Sequence, residues 1–130
     1  MVAIDTNVAV RLLVCDDPEQ TEKATDLFKA HEIYIPKTVA LETEWVLRAV
    51  YQLDQERVNR ALRRLLSLEQ VTVEDEAALF AALDAHGQGM DFADAIHLCS
   101  SRRADSFATF DAAFRARARK LALQPAVTEP

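Results

Sequence analysis

The chain has 130 residues, a net charge of −6 and a composition that is half hydrophobic. This length most simply gives one domain, residues 1–130, with a substantial core. The acidic balance argues against a protein that holds nucleic acid mainly through its overall charge, but it leaves room for a local basic strip. Apolar runs are too short to cross a bilayer, and an apolar strand at Val2 leaves no space for a signal peptide. We therefore expect a cytoplasmic protein with no membrane segment.

Short apolar segments alternate with amphipathic helices along the chain. Predicted strands cover residues 2–4, 33–35, 71–73 and 106–110, and an edge strand is possible at 126–128. Predicted helices cover residues 8–14, 38–51, 75–86, 91–103 and 111–121. Two more helices follow the capping residues Asp17 and Asp54, the first with Pro18 at its first position. The helix after Asp54 has the clearest apolar stripe at helical spacing.

This alternation predicts an α/β fold with a mostly parallel sheet covered by helices on both faces. In such sheets, functional sites form outside the carboxyl ends of the strands. Asp5 directly follows the first predicted strand, and Asp111 directly follows the fourth. These two strand ends are therefore where a site is to be sought.

Two interpretations of Asp5 stay open on the residues alone. An aspartate before a helix is a common N-cap, because its carboxylate accepts a hydrogen bond from a free backbone N–H group. Thr6 or Asn7 could form that cap instead, which would leave the carboxylate of Asp5 for a functional site.

Two glutamates on one predicted helix differ in their surroundings. Glu44 precedes Arg48 by four residues, the favourable orientation for a surface ion pair. Glu42 lies among Val39, Trp45 and Val46, in an apolar stripe with no local cation. A buried carboxylate without a partner is costly, so this pattern favours a functional Glu42 that meets a positive charge.

Asp91 and Asp94 stand three residues apart at a predicted helix start. Acids there can cap the helix and interact favourably with its dipole. The two carboxylates also project together, and His97 follows on the same face. We interpret His97 as a residue that neighbours the site or only packs there, rather than as a metal ligand. Asp111 can cap the next helix, and Thr109 would point to the same side if the strand continues. A hydroxyl beside a strand-end carboxylate suits orientation of a ligand or water.

Histidines and cysteines give no metal-binding pattern. His31 and His86 have no supporting neighbours and are predicted to be surface residues. Cys15 and Cys99 are too few and too far apart for a C-x-x-C motif, so free buried thiols are expected rather than a disulfide.

If the carboxylates converge, their repulsion must be neutralised. Two unit charges about 5 Å apart interact by roughly 3 kcal/mol at an effective dielectric of about 20. Protons or a hard divalent cation must offset several such pairs. An all-oxygen ligand set indicates Mg²⁺, or Mn²⁺, rather than zinc. Such a site suits metal-assisted hydrolysis of a phosphodiester.

The ordered motifs DTN, LETEWVL, MDFADAIH and TFDAAF resemble those of the PIN-domain ribonucleases, most closely the VapC-type toxins of bacterial toxin–antitoxin pairs. The resemblance covers nearly the whole chain. It implies a three-layer α/β/α sandwich with a central, mostly parallel sheet of four to five strands. It also implies a divalent-metal endoribonuclease, usually acting on structured RNA such as tRNA or rRNA. The expected partners are a second copy of the chain and a small VapB-type antitoxin.

Each acid of the family pattern has a match in this chain. The resemblance implies four catalytic and metal-binding acids: Asp5, Glu42, Asp94 and Asp111. It implies an additional metal-site acid at Asp91, and a supporting polar residue at Asn7. Thr109 matches the hydroxyl residue before the fourth acid.

The helix after Asp54 carries arginines opposite its apolar stripe, namely Arg57, Arg60, Arg63 and Arg64. These side chains form either a solvated face or a contact for RNA phosphates or for an antitoxin segment; the contact is assigned to Arg57, Arg60 and Arg64. The apolar segment 45–51 is a candidate dimer contact.

Other functions fit the residues less well. A phosphatase of the aspartyl-phosphate type would place a second aspartate at position 7, where this chain has Asn7. A receiver-like Mg²⁺-binding domain would need a mid-chain phosphoacceptor aspartate and a late strand-end lysine, and neither pattern is present. A PIN-like scaffold that binds a partner without cutting RNA stays open.

Overall fold

A computed structural model describes residues 1–130. The strands are β1 (Val2–Ala3), β2 (Ile33–Ile35), β3 (Val71–Val73), β4 (Ser106–Ala108) and β5 (Ala126–Thr128). The helices are α1 (Thr6–Val14), α2 (Pro18–Ala30), α3 (Lys37–Ala49), α4 (Gln55–Leu66), α5 (Glu76–Gly87), α6 (Phe92–Cys99) and α7 (Ala112–Lys120).

The chain divides into two compact units, Met1–Glu76 and Ala77–Pro130. The first unit contains β1 to β3 with α1 to α4, and the second contains α6, α7, β4, β5 and nearly all of α5. The assignment of residues 1–130 to a single domain stays a prediction.

In the first unit, three parallel strands form a sheet with β2 in the centre. Ile33 aligns with Val2 on one side and with Val71 on the other. Ile33 and Ile35 are completely buried, as expected for a central parallel strand. Because β1 and β2 are parallel, their carboxyl ends lie at the same edge, and these ends lead into α1 and α3.

Helix α4 closes the core of the first unit. Its predicted stripe is confirmed, since Val58, Leu62, Leu65 and Leu66 are buried. Asp54 caps the helix by accepting a hydrogen bond from the N–H of Arg57 at 2.9 Å. The apolar side is therefore turned inward, and most of its arginine side chains remain at the surface.

In the second unit, β4 and β5 form a separate two-stranded parallel sheet. Phe107 of β4 stacks on Phe114 of α7, with ring centroids 5.2 Å apart. Helix α6 buries Phe92, Ala95, Ile96, Leu98 and Cys99, leaving its polar residues toward the other side.

The α/β class and the parallel pairing are confirmed, but the strands are divided between two sheets, three in one and two in the other. Strand β4 ends at Ala108 rather than at residue 110. The reason is local: the N–H of Asp111 turns back to the hydroxyl of Thr109 at 3.1 Å, and Phe110 is exposed. Asp111 therefore lies three residues beyond the strand.

Two predictions about single side chains were wrong. His86 is buried, not at the surface, and packs edge-on against Phe92 with ring centroids 5.3 Å apart. Cys15 is exposed, whereas Cys99 is buried as predicted, and both are free thiols. None of the helices has the length and apolar character needed to span a membrane.

Candidate active site

Asp5 is itself the N-cap of α1. Its Oδ1 accepts a hydrogen bond from the N–H of Val8 at 3.1 Å, so neither Thr6 nor Asn7 takes over the cap. The residue is exposed, and the hydrogen bond occupies only one carboxylate oxygen. The capping interaction therefore fixes the orientation of a carboxylate that still has acceptor capacity.

Asp5 and Glu42 line the same cavity, which has a volume of about 410 Å³. Asn7 and Arg11 of α1 also line it, together with Tyr51 after α3. The first unit thus brings together two of the predicted acids with the predicted supporting residue. No hydrogen bond joins Asn7 to Asp5, so Asn7 shares the cavity without fixing the carboxylate directly.

The environments of the two glutamates differ from the prediction. Glu42 is exposed, not enclosed in an apolar stripe. Glu44 is the buried one, at 3% exposure, and its Oε2 accepts a hydrogen bond from Arg48 Nε at 2.9 Å. The ion pair is confirmed, but its carboxylate lies in the core. Glu44 therefore serves the fold, while Glu42 is available to a ligand.

The start of α3 is fixed from outside the helix. Its N-cap position is Pro36, which forms no side-chain cap. Glu74, just after β3, accepts a hydrogen bond from the N–H of Lys37 at 2.8 Å instead. The Lys37 ammonium also pairs with Asp75 at 2.9 Å. These contacts tie the end of one strand to the helix that presents Glu42.

In the second unit, three aspartates form one electrostatic group. Asp91 caps α6 by accepting a hydrogen bond from the N–H of Asp94 at 3.0 Å, and Asp111 caps α7 through the N–H of Phe114 at 3.1 Å. Partial burial raises the pKa of Asp94, and the charges of Asp91 and Asp111 raise it further. His97 opposes these effects. The arrangement favours a proton or cation at Asp94.

Thr109 acts on the backbone beside Asp111. Its hydroxyl accepts the N–H of Asp111, and its carbonyl accepts a hydrogen bond from Arg115 Nη1 at 2.9 Å. Thr109 therefore holds the turn that presents Asp111. The supporting role assigned to Thr109 in the site stays a prediction.

Sequence reasoning missed an anchored arginine in the first cavity. Arg11 Nη1 donates to Asp16 at 2.9 Å and to the Tyr51 hydroxyl at 3.1 Å, while its Nε donates to Gln20 at 2.6 Å. The Tyr51 hydroxyl also donates to Asp16 at 2.8 Å and is the largest influence that lowers the pKa of Asp16. The sequence held one signal for this arginine, namely its spacing. Arg11 follows Asn7 by four residues, so the two side chains lie on the same face of α1.

Two of the arginines assigned to RNA contact, Arg57 and Arg60, pair with the cap of α4 or within the helix. Arg57 lies 3.8 Å from Asp54, and Arg60 lies 3.5 Å from Glu56. Arg64 is exposed. Exposed pairs of this kind are weak, so they leave the arginines available to phosphates.

The donor chemistry fits a hard divalent cation. The candidate ligands are carboxylates, the donors that Mg²⁺ and Mn²⁺ favour. A cation would also relieve the like-charge repulsion at Asp94. The structure contains no group of three or more His, Cys, Asp or Glu side chains that could hold a metal ion. The ligand set is therefore a matter for proposal.

The sequence model of the PIN domain matches residues 2–120 of this chain. No curated protein and no solved structure matched the chain significantly. The family match covers most of the chain, and the chain belongs to the PIN-domain family. PIN domains are generally metal-dependent nucleases and typically bind divalent metal ions.

Proposed function

We propose, from membership of the PIN-domain family, that this protein is a Mg²⁺-dependent endoribonuclease that hydrolyses phosphodiester bonds in RNA. Mn²⁺ is the expected substitute, and tRNA or rRNA is the expected target. The observation that best supports the proposal is the raised pKa of Asp94, which results from partial burial and from the charges of Asp91 and Asp111. A partly buried carboxylate near two like charges is stabilised in its ionised form by a bound cation.

The catalytic and metal-binding roles are assigned to Asp5, Glu42, Asp94 and Asp111, with Asp91 as an additional metal-site acid. A bound divalent ion would lower the pKa of a water and stabilise negative charge on the phosphate. The carboxylates would hold the metal ion and orient the water. The capping hydrogen bonds of Asp5 and Asp111 restrict the rotation of these two side chains. Asn7 and Thr109 support this set, Thr109 through the backbone of Asp111.

The proposed biological setting is the toxin of a VapBC-type pair in the cytoplasm. A cognate VapB-type antitoxin would inhibit the enzyme, and the protein would form a homodimer. Exposed apolar side chains support an interface near the end of α3, since Trp45 is 53% and Val50 is 60% exposed. Arg57, Arg60 and Arg64 are proposed to contact RNA phosphates or the antitoxin.

Cleavage of RNA with added Mg²⁺ or Mn²⁺ tests the proposed activity. We expect Asp94→Asn to lower the rate at least roughly a hundredfold, because even residues around a metal site cost tenfold to a hundredfold. Asp105→Asn is the matched control, an exposed aspartate of the same unit. Equal activity of wild type and Asp94→Asn would overturn the assignment. Metal binding without cleavage of any RNA would indicate a non-catalytic PIN-like domain.

A further inference from the structure

A second cavity of the first unit lies beside the one that contains Asp5 and Glu42. It has a volume of about 370 Å³, within the range of small-ligand sites, and is lined by residues of α1 and α2 together with Asp5. Three residues, Asp5, Asn7 and Arg11, line both cavities. A ligand in the second cavity would therefore lie next to the proposed catalytic acids.

The lining of this second cavity combines apolar and polar groups. Val8, Ala24 and Leu27 supply apolar surface. Gln20 accepts a hydrogen bond from Arg11 through Oε1, so its amide nitrogen remains a donor. Apolar surface beside a hydrogen-bonded amide suits the face and edge of a nucleobase.

Two cations stand at the same cavity. Arg11 is held by three hydrogen bonds, which leave its second terminal nitrogen, Nη2, without a partner from this network. Lys23 pairs only with Glu19, at 3.1 Å, and both side chains are at least 75% exposed. An exposed pair of this kind contributes little, so Lys23 can exchange it for a phosphate.

We propose that the cavity between α1 and α2 is a subsite for a nucleotide of single-stranded nucleic acid next to the bond that is cut. The base packs against Leu27 and Val8, Gln20 donates to the edge of the base, and Arg11 and Lys23 contact flanking phosphates. This inference rests on the proposed nuclease function for the identity of its ligand. It explains how an acidic chain binds a polyanion through a few local contacts.

Binding by a cleavage-disabled protein tests the subsite without depending on catalysis. The Asp94→Asn protein is titrated with a fluorescent single-stranded RNA at several salt concentrations, alone and with Lys23→Gln or Lys29→Gln added. Lys29 is an exposed lysine of α2 outside the cavity and serves as the matched control. Lys23→Gln should weaken binding roughly threefold to tenfold and reduce the salt slope by about 0.7, the value for one phosphate of a single strand.

Abasic substitution tests the base pocket. In RNAs that carry one abasic nucleotide at successive positions, wild-type cleavage should fall at one position beside the cut, and Leu27→Ala should remove that dependence. The same sequence as DNA shows whether the ribose hydroxyl contributes. Identical affinity and salt slope for the two lysine variants, or no RNA binding, would overturn the subsite. RNA binding with the Lys23 effect but no cleavage by wild type would overturn the proposed function and keep the subsite.

Discussion

At the scale of single residues, the candidate acids combine structural and functional demands. Asp5, Asp91 and Asp111 are all helix N-caps. Helix capping alone would explain an aspartate at each position, so the sequence could not distinguish this structural role from a functional one. The two glutamates of α3 show the limit of periodicity. Two positions along a helix turn a side chain by about 200°, so the two glutamates lie on opposite faces, and Glu44, not Glu42, faces the core.

The pair Glu42 and Glu44 gives a prediction that separates fold from function. Glu44→Ala should lower the free energy of unfolding by about 1–3 kcal/mol, because it removes a buried side chain together with its charge-assisted hydrogen bond to the half-exposed Arg48. Glu42→Gln should change that energy by less than about 0.5 kcal/mol and yet reduce RNA cleavage. Denaturant unfolding and a cleavage assay on both variants measure this. Loss of stability in Glu42→Gln would contradict the assignment.

The raised pKa of Asp94 predicts how stability depends on pH in metal-free buffer. The folded state binds this proton more tightly than the unfolded state, whose pKa is near 3.8. The contribution of Asp94 to stability is therefore fully present below pH 3.8 and declines as pH rises through the higher folded pKa. Asp94→Asn should remove this decline from a series of denaturant titrations in EDTA. If the pH dependence of stability were the same in Asp94→Asn and wild type, the pKa of Asp94 would not be raised in the folded protein.

At the scale of elements, local signals in the sequence identified the helices and strands well. The cap and proline at Asp17 and Pro18 placed the start of α2, and Asp54 placed the start of α4. Ends set by side-chain turns were harder to predict. Helix α6 ends at Cys99 rather than at residue 103, and just beyond it the hydroxyl of Ser101 binds the carbonyl of His97. Such contacts have no periodic signature.

The cap of α7 allows the two roles of Asp111 to be separated. Asparagine caps a helix about as well as aspartate, whereas alanine does not. Asp111→Ala should lower the free energy of unfolding by about 0.5–2 kcal/mol. Asp111→Asn should keep stability near wild type and still lose most metal-dependent cleavage. Thermal unfolding and RNA cleavage of the two variants check this, and full activity of Asp111→Asn would restrict the residue to capping.

At the scale of the whole molecule, the order of the acidic motifs predicted the family correctly, whereas the predicted strands did not indicate how they are divided between sheets. The four acidic motifs indicated a PIN domain, and the family match over residues 2–120 confirmed it. The division into sheets of three and two strands was not predictable, because three-residue strands such as Ile33–Ile35 and Ser106–Ala108 carry no information on which strands pair. Pairing depends on long-range packing rather than on local composition.

Metal binding should be visible in the stability of the whole protein. A ligand that binds only the folded state stabilises it by roughly 2.7 kcal/mol at a hundred times its Kd. We expect the Tm of wild type to be higher with Mg²⁺ or Mn²⁺ than with EDTA. The Tm of Asp94→Asn should be nearly the same under both conditions. An equal shift in both proteins would place the metal elsewhere.

Divalent-metal-dependent cleavage of RNA by Asp5→Asn tests the central claim most directly. Asparagine preserves the cap on Val8, so the variant should unfold like wild type. Asp26→Asn, an exposed aspartate of the same unit, controls for the loss of one charge. We predict that wild type and Asp26→Asn cleave RNA with Mg²⁺ or Mn²⁺, and that Asp5→Asn is folded but nearly inactive. Equal cleavage by Asp5→Asn and wild type would contradict the account.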